Sequence, residues 1–150
     1  MIEVAIQDAS DLVPEAELSG AGIRELVRNS LTHFAREGAV TVRLVEEAES
    51  RELNRRWRGV DRPTNVLAFP SDRELGEIGD IVICIPLVRS ESGGRGATPA
   101  AHLAHLVVHG SLHLAGLDHH DPEQARAMET LESELLTQAG WPDPWAVERE

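Results

Sequence analysis

The chain has 150 residues, 41% hydrophobic and 27% charged, with a single cysteine, Cys84. That length supports one compact core without staples, and a lone cysteine within an apolar run excludes a disulfide framework and reads as a buried, inert thiol. The formal charge of −12 excludes binding of nucleic acid by bulk charge, so a phosphate chain can be gripped only through a local patch or a bound cation.

Met1–Asp8 has no basic start followed by an apolar core, and the apolar run from Ile81 to Val88 falls far short of the roughly 20 residues of a membrane span. A cytoplasmic protein with no membrane partner is expected, folded as one domain over residues 1–150. Ile2, Val4 and Ile6 alternate with Glu3, Ala5 and Gln7, which predicts a strand with one buried face. Ile23, Leu26, Val27, Leu31 and Phe34 follow helical spacing, with Gly38 placed to end the helix. Val40, Val42 and Leu44 predict a second strand. Ser50 is expected to cap a short helix on which Leu53 and Trp57 face inward. Asn65–Phe69 reads as a third strand, and the β-branched run Asp80–Ile85 as a central one.

Arg89–Ala97, rich in Ser and Gly, is expected to be a mobile loop. Thr98-Pro99 then starts a helix, with a capping hydroxyl followed by proline at the first helical position, and Gly116 terminates it. Asp121-Pro122 repeats the start signal, and Met128, Leu131, Leu135 and Ala139 mark the buried stripe of a last helix. Strands and helices in this order imply an α+β fold, a small mixed sheet of about four strands covered by about four to five helices.

The chemistry lies in His109-Gly-Ser-Leu-His113-Leu-Ala-Gly116-Leu-Asp-His119-His120. Residues four apart share a helix face, so His109 and His113 can address one point, and a left-handed Gly116 reverses the chain to bring Asp118-His119 back toward it. Three imidazoles with one open position suit a catalytic Zn²⁺, one per chain, whereas structural zinc sites are closed by four protein ligands. His102, His105 and His120 read as ordinary solvent-facing or core histidines. His105 shares the 109/113 face and could bond a ligand or a carboxylate, and Asp118 could orient His119 or simply cap the turn. Gly110 costs about 1 kcal/mol relative to alanine inside a helix, which points to close approach of another backbone. The spacing is that of metzincin peptidases, yet those carry a glutamate base directly after the first histidine, where this chain has Gly110.

The stretch from His105 to His119 resembles the signature of the YbeY-type endoribonucleases. Leu53-Asn-Arg-Arg-Trp-Arg58 through Phe69-Pro70 resembles that family's other long block, and Gly79-Asp-Ile-Val-Ile-Cys84 and Gly140-Trp-Pro-Asp-Pro-Trp145 fit as well. The likeness spans about residues 40 to 145. Leu117, Ala68 and Val60 stand where the family usually has Tyr, Ser and often Lys, so some RNA contacts differ. The resemblance implies a metal-dependent endoribonuclease directed at single-stranded RNA, acting in maturation of ribosomal RNA at the small-subunit 3′ end and in ribosome quality control, beside small-subunit components. It implies that Arg58 clamps the scissile phosphate, for which a planar guanidinium is suited. Arg51, Arg55, Arg56 and Arg62 are divided between an RNA-contacting patch and ordinary helix surface. No carboxylate stands out as a general base. Trp57, Trp141 and Trp145 could stack on bases, but Trp57 is expected to pack with Leu53 and the C-terminal pair to dock on the protein's own surface. The rival readings are a metzincin-like metallopeptidase and a non-catalytic zinc-containing ribosome-assembly factor.

Overall fold

The computed structural model describes residues 1–9 and 18–146. Its strands are β1 (Ile2–Asp8), β2 (Gly38–Val45), β3 (Val66–Pro70) and β4 (Glu77–Cys84), and its helices are α1 (Gly20–Leu31), α2 (Glu47–Arg58), α3 (Ile85–Arg95), α4 (Pro99–Leu114) and α5 (Pro122–Gln138). The strands form one mixed sheet in the order β1-β2-β4-β3, parallel throughout except for β3 against β4. The expected α+β fold is the one observed. No described helix is long and apolar enough to cross a membrane.

Period-two alternation divides the sheet's side chains between two faces. In register, Val42 lies beside Ile81 and Leu44 beside Ile83, and these residues join β1 in a large core with Leu26, Val27 and Leu31 of α1, Leu103 and Val107 of α4, and Met128 and Leu136 of α5. The opposite face carries a smaller cluster, Val45, Leu67, Val82 and Cys84, against which Leu53 of α2 packs. Burial pushes the Cys84 thiol up, in keeping with an inert role.

Several expectations about element boundaries need correction. α1 ends at Leu31, and Phe34 lies in the turn beyond it, exposed to solvent. Gly38 opens β2 instead of capping α1; its φ of +130° and the Ile78 side chain, 2.7 Å from where a Cβ would stand, both demand glycine. Ser50 sits inside α2, whose N-cap is Glu46. The buried Ser50 hydroxyl donates to the Thr64 carbonyl and accepts from the Thr64 amide, tying α2 to the segment before β3.

The expected loop at 89–97 is mostly helix. Pro86 at the start of α3 fits a first turn, Ser90 and Ser92 bond their hydroxyls back to the carbonyls of Leu87 and Arg89, and Gly96 closes the helix in the left-handed region. Buried Val88 and Ser92 hold it in the structure, so tertiary packing overrides a composition poor in helix formers.

Candidate metal centre

α4 begins as the sequence predicts, with the Thr98 hydroxyl accepting from the Ala101 amide. It packs on the sheet face that carries the larger core, and Gly110 is a point of close approach. A Cβ at Gly110 would lie 2.8 Å from Cγ2 of Ile81, so the glycine admits a side chain of β4, not a backbone as expected. After Leu114, Gly116 turns left-handed at φ +98°, its amide bonds the His113 carbonyl, and the Leu117 amide bonds that of Leu112. This reversal carries residue 119 back over the last turn.

His109, His113 and His119 each offer a nitrogen within 4.8 Å of the others. His109 and His113 are half-buried, and His119 is exposed, so the cluster opens on one side. The Nε2 atoms of His109 and His113 are 3.1 Å apart, close to the roughly 3.3 Å between two nitrogens of a tetrahedral zinc with bonds of about 2.0–2.1 Å.

The tautomers strengthen the fit. His109 donates from Nδ1 to Glu132 at 2.6 Å, which leaves Nε2 with a bare lone pair. His113 bonds the Leu117 backbone, and its pKa is lowered by burial first and by His109 and His119 next, which disfavours the charged ring. The two Nε2 atoms face each other at this distance, where a shared proton or a cation can lie between them. The donor set is therefore able to hold a divalent ion.

Glu132, on α5, is a site residue that the sequence motifs do not mark. Its carboxylate is 1% exposed and accepts from His109 Nδ1, from His105 Nε2 at 3.2 Å and from Trp145 Nε1 at 2.9 Å. Burial raises the carboxyl's pKa, but the hydrogen bonds from His105 and His109 outweigh it and bring it down to about 2. A carboxylate buried and committed in this way orients a ligand and does not serve as a base. The available signal was spacing: Glu132 falls midway between Met128 and Leu136 on the buried stripe of α5, where an acid has no place without a partner.

His105 thus reaches a carboxylate, as one expected alternative had it. Asp118 accepts from the His119 amide at 2.7 Å and pairs with His120, while the His119 ring nitrogen stays 3.9 Å away, so it shapes the turn. His102 bonds Glu91 of α3. Trp145 docks on the protein's own surface as expected, with its ring edge-on to His105.

A groove of about 760 Å³ runs between the histidines and β3, and Arg58, at the end of α2, lines it together with His109, His113 and His119. Arg51, Arg55, Arg56 and Arg62 lie outside this lining and are exposed; Arg51 is paired with Asp61 and Arg55 with Glu52. Trp57 does not pack inward: it is 65% exposed and leans on Phe69 instead.

The family model described as Endoribonuclease YbeY matches residues 6–140. The chain belongs to the YbeY endoribonuclease family. Proteins named Endoribonuclease YbeY from Pseudomonas putida (strain W619) and Stutzerimonas stutzeri (strain A1501) are 43% and 44% identical to it over 97% of its length, covering 94% and 92% of theirs. The solution structure of a Thermotoga maritima protein superposes with a TM-score of 0.61 at 28% identity, covering 92% of this chain and 91% of that one.

Proposed function

We propose that the chain is a zinc-dependent endoribonuclease of the YbeY family, acting on single-stranded RNA, with the ion held by His109, His113 and His119 and the scissile phosphate held by Arg58. The reading rests above all on one observation: three imidazole nitrogens and a guanidinium side chain line a single groove.

The three imidazoles would hold a divalent ion, which would supply Lewis-acid chemistry: a lower pKa for water and a positive charge beside the phosphate. Arg58, from the opposite wall, binds phosphate oxygens through paired N–H donors and stabilises the charge that builds on them as the P–O bond breaks. Glu132 holds the Nδ1 proton of His109, keeping Nε2 bare and the ring fixed. His105 and Trp145 hold Glu132 in turn.

The metallopeptidase reading loses support at Gly110. A glutamate at that position would drive its Cβ into buried Ile81 of β4, so the peptidase base has no room there. The natural substrate is ribosomal RNA, with maturation of the small-subunit 3′ end and ribosome quality control as the setting, small-subunit components as partners and the cytoplasm as the compartment.

The test is substrate class against metal content. Protein of measured zinc content is offered unstructured RNA and casein, before and after a chelator. RNA cut internally, stopped by the chelator and restored by zinc, is the expected result. Casein cleavage returns the peptidase, and bound zinc with neither activity returns the assembly factor.

A further inference from the structure

Trp57 has no part in the chemistry above, yet it is placed beside it. It occupies the last turn of α2 immediately before Arg58, and 65% of it faces solvent. Its ring leans on Phe69 of β3, with centroids 6.0 Å apart and planes tilted by 58°. Phe69 thus touches the indole while most of the Trp57 side chain stays in solvent. The pair forms a ridge between two grooves. One is the metal groove; the other, about 730 Å³, lies beside α2 on the sheet face that carries Val82, over Thr41, Arg43, Glu49, Leu53 and Asp80, and Trp57, Phe69 and Pro70 line both.

We propose that Trp57, braced by Phe69, is a stacking platform for one unpaired nucleobase of the substrate next to the scissile phosphate. The inference rests on the endoribonuclease reading and adds to it a base-binding subsite. Stacking takes any base, because every base has a π face, but only a base free of its own helix can lie on the indole. Trp57 therefore selects strandedness, not sequence. The adjacent cation fits the same occupant: Arg58 takes the phosphate while the indole takes the base.

The test uses single-stranded oligoribonucleotides cut at one site, each with an abasic nucleotide at a different position around it, and metal-loaded wild type, Trp57→Ala and Trp57→Phe. Trp57→Ala is expected to raise KM about 5- to 100-fold, with a much smaller change in kcat. Trp57→Phe, which keeps a π surface, stays within a few-fold of wild type. One abasic position costs the wild type a similar factor in KM and costs Trp57→Ala almost nothing. Because the side chain is exposed, metal content and melting temperature are unmoved. An unchanged KM in Trp57→Ala overturns the platform, as do abasic penalties equal in the two proteins. If the wild type leaves RNA intact, the endoribonuclease reading falls and the platform with it; if it cuts RNA through Arg58 and is indifferent to Trp57, the platform alone falls.

Discussion

The α4 part of the histidine wall is held by buried partners, whereas the arginine wall stands in solvent. On the first, His109 is fixed by Glu132, Glu132 by His105 and Trp145, and the helix beneath is seated on Ile81. On the second, Arg51 and Arg55 pair only with neighbouring exposed acids, and Arg58 makes no ion pair among the described residues. An ion demands ligands fixed to a fraction of an ångström, so its wall is preorganised. A flexible polyanion is met better by long side chains still free to adapt. The contrast predicts that substitutions on the histidine wall disturb metal content and folding, while those on the arginine wall disturb only the handling of RNA.

His113→Ala should have the largest effect. Elemental analysis should find the ion lost, and RNA cleavage should fall by on the order of 1,000-fold or more. Arg58→Ala should lower kcat/KM by about 100- to 1,000-fold with metal content unchanged; loss of metal in this variant would erase the distinction between the walls. Glu132→Gln should weaken zinc binding by about 10- to 100-fold in competition with a chromophoric chelator. Undiminished affinity there would mean that the buried carboxylate serves the fold alone.

Gly110→Ala gains about 1 kcal/mol of helix propensity but forces a Cβ against buried Ile81, a strain of about 1–3 kcal/mol. Net destabilisation in urea unfolding is expected, smaller in an Ile81→Ala background where the opposing atoms are gone. The smallest effects belong to Arg51→Ala and Arg55→Ala, which should leave the melting temperature and the salt dependence of RNA binding where they were. A fall of about 0.7 in the log–log salt slope would place either arginine on the phosphate chain and lengthen the arginine wall.

What the sequence disclosed follows from how local each signal is. Thr98-Pro99, Asp121-Pro122 and Gly116 act within a turn of themselves, and the helix starts and the left-handed reversal fall where those residues put them. The convergence of 109, 113 and 119 needs only a helical repeat and one glycine, so it was legible too. Glu132 was hidden because its partners lie 23 and 27 residues back, on another helix. α3 was hidden because its serines bond their own backbone and its stability comes from packing. Trp57 was misjudged because spacing relative to Leu53 sets a shared helix face but not whether β3 leaves room beneath it.

The hydrogen bonds around Glu132 also impose an order in time. A chain is made from its N-terminus, so His109 emerges 23 residues before the carboxylate that fixes its tautomer, and that carboxylate 13 residues before the indole that steadies it. A nascent chain halted between these points carries the imidazoles without their orienting partner. On the proposed reading, this nuclease is still unfinished while it is being threaded out of a machine built largely of RNA.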